Sequence, residues 1–267
     1  GGACLPPANP DTTPMTTRQK NHIFLFAAIL IFASALRLYF LLTTERRLDM
    51  DECVVGVMAG HIAQKSEMFF HFIGNNYGGG HALIAYILAP MYNIFGPSDI
   101  LVHSVTVVSS VLFIAVLMVL VTRHLGPTTG LLSGFVLAFF PLYLKASFQV
   151  DAYIETHLIA FLSALVLSKI IEIKTSAGGD SGAVNPPVNS NVVTVLDVVF
   201  GLLAGLALWS YEFSLAFLAP LGLALLVFVR KFNVRELILI ALAFLGGYSV
   251  KLFYLLHSDS GGGTFKQ

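Results

Sequence analysis

Residues 46–53 read Arg-Arg-Leu-Asp-Met-Asp-Glu-Cys and follow directly on a long apolar run. Only 11% of the chain is charged, so three carboxylates and two guanidiniums in eight residues stand out. Charge at a membrane boundary is expensive unless it is solvated, paired or functional. A carboxylate in such a place can take a proton from an attacking hydroxyl or hold a divalent cation, and Arg46 or Arg47 can hold a lipid phosphate. Asp49 and Glu52 have the spacing of a capping box, with Asp in place of Ser or Thr, and negative charge suits a helix start. That accounts for both. Asp51 is the acid left without a structural reason, which makes it the first candidate for catalysis.

A second acidic pair follows at Asp151 and Glu155. Asp151 can cap the apolar run that begins beside it, and Glu155 lies one turn deeper on the same face. Capping does not explain Glu155, because a carboxylate inside an apolar span is a functional candidate by default. Arg37, Lys145, Glu155, Glu212 and Lys251 all fall towards the same ends of their apolar runs. Snorkelling explains each cation separately but not the gathering of acids and bases from several runs at one depth. A polar site open to water does explain it. Asp197 falls at the other end and reads as interfacial. Lys65, His71, His81 and Tyr211 are candidates to line the site, against the simpler reading of interfacial packing. The histidines show no zinc-enzyme spacing and the serines no nucleophile elbow.

The elements that must position these residues are membrane helices. With 56% apolar residues the chain is predicted to be an all-α, polytopic membrane protein. A formal charge of zero gives no reason to expect nucleic acid. Residues 1–21 are polar and read as a disordered tail. Apolar runs at 22–42, 101–122, 128–147, 153–173, 194–210, 213–229 and 236–256 predict seven spans. The run 81–95 is short and contains Pro90, and reading it as non-spanning places Arg18, Lys20, Arg123, Lys169, Lys174, Arg230, Lys231 and Arg235 on one side. The positive-inside rule then puts the N-terminus in the cytoplasm and the acidic residues outside. The first outer loop, 43–100, carries a surface helix over 51–64 with Val54, Met58 and Ile62 on one face. It also holds a glycine-rich turn at 74–81, which reads as a turn rather than a phosphate cradle. Residues 174–193 form a flexible cytoplasmic linker, and 257–267 begin a further outer loop. This topology separates Cys4 from Cys53, so no bridge is expected between them.

Together these residues resemble the GT-C superfamily of membrane glycosyltransferases, in particular the protein-mannosyltransferase and aminoarabinose-transferase-like group, glycosyltransferase family 39 and relatives. Four features in order over residues 20–265 carry the resemblance. Asp51-Glu52 with Gly56, Ala59 and Ile62 resembles the start of a juxtamembrane helix. Tyr77-Gly78-Gly79 through Ala89-Pro90 and Phe95-Gly96-Pro97-Ser98 resembles the second juxtamembrane segment. Arg123-His124-Leu125-Gly126 resembles the basic turn between spans two and three, and Asp151 to Glu155 stands where members carry a second outer-loop acid.

The resemblance implies transfer of a sugar from a polyprenyl phosphate to a lipid, protein or glycan at the outer face. Asp51 would be the general base and Glu52 its support, with Asp151 and Glu155 as the second acids. Arg46, Arg47, Lys65, Tyr77, His81, Lys145, Tyr211, Glu212 and Lys251 would line the donor and acceptor sites. Related oligosaccharyltransferases use a divalent cation; a Mg or Mn ion here would fall to Asp51 and Asp151. Family members usually continue with further spans, which implies a fragment. Where members often show Pro-Pro, this chain reads Tyr77-Gly78-Gly79-Gly80, so neither acceptor specificity carries over. The alternatives are a transporter or flippase of lipid-linked sugars, which needs polar residues at mid-membrane, and an inactive truncated module that binds lipid or a partner.

Overall fold

The computed structural model describes residues 16–44, 48–65, 68–69, 82–176 and 190–258. Among them the regular structure is helical: α1 (Thr17–Thr43), α2 (Met50–Lys65), α3 (Ala82–Phe95), α4 (Asp99–Leu125), α5 (Pro127–Phe139), α6 (Pro141–Ala146), α7 (Tyr153–Ser176), α8 (Ser190–Ser210), α9 (Leu215–Val227) and α10 (Val234–Ser258), with two short 3₁₀ turns flanking α9. Five helices are long and apolar enough to cross a bilayer: α1, α4, α7, α8 and Val234–Phe253 within α10. The chain is an integral membrane protein.

Two of the seven expected spans differ from the pattern. The run 128–147 is two helices, because Pro141 lacks the N–H that would continue α5 and Phe140 before it is extended (φ −63°, ψ 118°). The run 213–229 opens with a 3₁₀ turn, Glu212–Ser214, and its helix α9 is 13 residues long with Pro220 inside. Neither reaches the length of the other five. The ends also move. A Thr16–Gln19 capping box starts α1 at Thr17, ahead of its apolar run. Helix α7 continues to Ser176, into the segment expected as linker.

The helices alternate in direction. Arg37 of α1 meets Ser110 of α4, while Ala33 packs with Ile114 and Met118 further along it, so the two are antiparallel. Gly130 and Gly134 of α5 face Thr122 and Met118, which sends α5 back towards the start of α4. The Thr156–Ser210 hydroxyl pair (2.7 Å) joins the first turn of α7 to the last of α8. Gly201 and Gly205 of α8 meet the backbone of Ile240 and Phe244, so α8 and α10 run parallel. Asp151 and Glu155 therefore lie at one end of the bundle, and Arg123, Lys174, Lys231 and Arg235 at the other.

Helices α2 and α3 cap the acidic end. Val55, Met58 and Ala59 of α2 and Ile84, Ala85 and Leu88 of α3 share a core with Val102, Val105, Val150 and Trp209. Val54 and Ile62 pack against it, so the predicted apolar face of α2 is turned to the bundle. Helix α3 has 14 residues with Pro90 inside, shorter than the five helices long enough to cross a bilayer. It turns into α4 through Gly96 (φ 79°), a conformation that favours glycine, and Ser98, whose hydroxyl accepts from the Leu101 amide.

Candidate functional site

The capping box at 49–52 forms. The Glu52 amide donates to Asp49 Oδ1 (2.9 Å) and the Asp49 amide donates to Glu52 Oε2 (3.0 Å). Glu52 is buried. Its other oxygen, Oε1, accepts from the Val150 amide (3.2 Å) and lies 3.8 Å from His103 Nδ1. His103 in turn faces the Phe148 carbonyl at 2.9 Å, and because a carbonyl only accepts, Nδ1 carries the proton. Glu52 thus ties α2 to the turn 147–152 and has both oxygens engaged. Asp51 is exposed, in the first turn of α2.

That turn holds the second acid. Ala152 adopts φ 60°, rare for a residue with a Cβ, and its side chain is fully buried. The turn delivers Asp151 to the carboxylates of α2. Burial, and then the charges of Asp49, Glu52 and Asp51, raise the Asp151 carboxyl to about 6. Four acids from segments 98 and more residues apart therefore share one electrostatic neighbourhood. Glu155 lies one turn below. It is buried and looks onto Thr106 and Ser109 of α4, yet neither of its oxygens meets hydrogen-bond geometry with a described residue.

A cleft of about 560 Å³ opens beside this cluster, within the range of small-molecule sites. Asp49, Glu52 and His103 line one part, Lys145 and Gln149 another, and Phe40, Pro141, Leu144 and Phe148 supply apolar wall. Behind it Arg37, fully buried, donates from Nε to the hydroxyls of Ser110 (2.9 Å) and Ser147 (3.2 Å) and stands over the Tyr143 ring.

The other candidates sort by position. Lys251 pairs with Glu212 at 3.3 Å, and the Tyr211 hydroxyl meets that of Tyr153 at 3.3 Å, two residues after Asp151. These form a second group around the start of α7, outside the cleft lining. Lys65 is at the far end of α2, roughly 21 Å from Asp51 at 1.5 Å per residue. Arg46, Arg47, His71, Tyr77, His81 and the glycine-rich turn lie outside the described residues, as does Cys4; Cys53 is an exposed free thiol. Among the described residues no group of three or more His, Cys, Asp or Glu is placed to hold a metal ion. His103 was missed. Its only mark in the sequence is a polar residue among Ile100, Leu101, Val102 and Val105.

The segment that carries Lys145, Asp151 and Glu155 is similar in sequence to a family of membrane glycosyltransferases of the GT-C type. In particular, residues 82–179 match the family model of the dolichyl-phosphate-mannose-protein mannosyltransferases. The match runs from α3 past the end of α7, so Asp49, Asp51 and Glu52 precede it. No curated protein and no solved structure matches the chain.

Proposed function

We propose that the protein transfers a sugar from a polyprenyl-phosphate donor to an acceptor at the acidic end of the bundle. The observation that carries this reading is the convergence of Asp49, Asp51 and Glu52 on Asp151 beside a cleft edged by Lys145. The family match over residues 82–179, which include Lys145, Asp151 and Glu155, supports it.

In this reading the apolar wall of Phe40, Pro141, Leu144 and Phe148 receives the first part of the polyprenyl chain. Lys145 faces the phosphate. The acceptor oxygen attacks the anomeric carbon as the bond from that carbon to the phosphate oxygen breaks, and the electron pair leaves with the phosphate. The acceptor proton passes to Asp51, which is exposed and free of the bonds that engage Glu52. Glu52 braces the helix that presents Asp51. Asp151, whose carboxyl is raised to about 6 by burial and by the neighbouring acids, is mostly ionised at neutral pH and takes up charge change beside Asp51. Tyr211, Glu212 and Lys251 line the acceptor side.

The membrane arrangement belongs to the same proposal. Helices α5 and α6 together cover residues 127–146, which at 1.5 Å per residue span roughly 30 Å, one bilayer core. With α9 and its 3₁₀ turn this completes seven crossings. The basic end faces the cytoplasm by the positive-inside rule, and the acidic end faces out.

Asp51→Asn in the full-length protein should lower transfer at least a hundredfold while leaving membrane insertion unchanged. Near-normal transfer by that variant would overturn the assignment of Asp51.

A further inference from the structure

The end of the bundle opposite the acids holds a separate cavity of about 380 Å³. That is roughly a dozen water volumes, room for a phosphodiester headgroup. Its wall comes from the last turn of α7, the first turns of α8 and α10, and the 3₁₀ turn between α9 and α10.

The charges in this wall are unevenly satisfied. Lys174 pairs with Glu236 at 2.7 Å and lies over the Phe232 ring. Glu236 also accepts from the Asn233 amide at 2.7 Å, so its charge is spoken for. Lys231 and Arg235 are exposed, and no ion pair joins either to a described residue. Two helices, α8 and α10, begin at the cavity and aim the positive ends of their dipoles at it. The hydroxyls of Ser190 and Thr194 complete the wall. Asp197, one turn deeper on α8, is fully buried and outside the lining, and its charge acts on Lys174 and Glu236; Lys231 and Arg235 are the lining cations left without an acidic partner among the described residues. The site stands at the helix ends, where phospholipid headgroups lie.

We infer that this cavity binds the phosphate of an anionic phospholipid headgroup, with Lys231 and Arg235 as its ligands and the pair Lys174–Glu236 as its fixed floor. A basic pocket between helix ends is the geometry that anionic headgroups select. Bound there, the lipid ties α10 to α7 and α8 at the end remote from the proposed chemistry.

The test uses the full-length protein in nanodiscs of phosphatidylcholine with or without phosphatidylglycerol, with thermal unfolding and retained lipid in native mass spectrometry as readouts. Phosphatidylglycerol should raise the unfolding temperature and remain bound. The double variant Lys231→Gln/Arg235→Gln should lose both effects, with retained lipid falling at least fivefold. Both side chains are exposed, and the variant's unfolding in pure phosphatidylcholine checks that it folds. Equal lipid retention by parent and variant would overturn the site. Protection by inorganic phosphate in phosphatidylcholine discs, equal to that from phosphatidylglycerol, would overturn the lipid as ligand.

Discussion

The Val150 amide donates to Glu52 Oε1 at 3.2 Å, joining the helix after the first span to the turn before α7. This bond and the Asp49 amide bond leave Glu52 no free oxygen. Glu52→Ala removes a charge-assisted hydrogen bond from each of two amides, one of them in a buried residue, and should destabilise the protein by about 2–4 kcal/mol. Glu52→Gln keeps one acceptor and should lose about half as much. Hydrogen exchange is the sharper measurement: the Val150 amide should exchange much faster in Glu52→Ala while that of Met118 changes only with global stability. Unchanged protection at Val150 would mean that the bond does not form.

Asp151 gives the protein a pH dependence whose sign follows from its raised pKa. Its carboxyl moves from 3.8 to about 6 on folding, so between those values the folded chain holds a proton that the unfolded chain has released. Stability therefore falls as pH rises through about 4 to 6 and stays lower above that. Asp151→Asn removes the repulsion and should stabilise the protein at pH 7.5 by on the order of 1 kcal/mol, less than the full shift implies because the side chain is partly in water. At pH 4 parent and variant should differ little. Unfolding curves at the two pH values decide this, and an unchanged pH dependence in the variant would refute it.

Lys145 is the exposed cation on the cleft wall. If it holds the donor phosphate equally in ground and transition states, Lys145→Ala should raise KM for the donor roughly tenfold, about 1.4 kcal/mol, with kcat changed much less. A fall in kcat with KM unchanged would mean that Lys145 meets the phosphate only as charge develops in the transition state, and unchanged kcat and KM would place it away from the phosphate. Steady-state kinetics with a water-soluble short-chain donor make the distinction.

Gly205 lets α8 and α10 touch backbone to backbone. A Cβ there would collide with the Phe244 carbonyl, which cannot swing aside as a side-chain end can. Gly205→Val should destabilise by about 1–3 kcal/mol or more. Gly222 on α9 has open space around it, so Gly222→Val is the matched control and should cost much less. Thermal unfolding of both in the same detergent measures the contrast.

Much of the scaffold was legible because single segments specify it. The reciprocal Asp49–Glu52 cap depends on three consecutive peptide units, and the stripe of Val54, Met58 and Ile62 on helical period; both appear as read. The short run with Pro90 forms a single helix of 14 residues, shorter than the five helices long enough to cross a bilayer. The break at Pro141 was visible in principle, since proline ends a helix wherever it falls beyond the first turn, but an apolar window averages across it. The site was less legible. Glu52 reads from the sequence as a helix cap and a support for Asp51, but the bond from the Val150 amide to its far oxygen has no local pattern to report it, because that partner is 98 residues away. His103 was hidden for the same reason: its meaning lies in the Phe148 carbonyl and Glu52, both supplied by other segments.

Arg37 bears on how the chain is made. Of the groups that satisfy its guanidinium, only the Ala33 carbonyl belongs to α1; Ser110, Ala138 and Ser147 come from α4, α5 and the turn after α6. On a ribosome that has finished only the first span, none of those three exists. An arginine in a span raises the free energy of insertion by about 2.5–3.5 kcal/mol at mid-membrane and less near its ends. The first helix therefore enters the bilayer incomplete and is settled only when roughly a hundred further residues have emerged and returned to it.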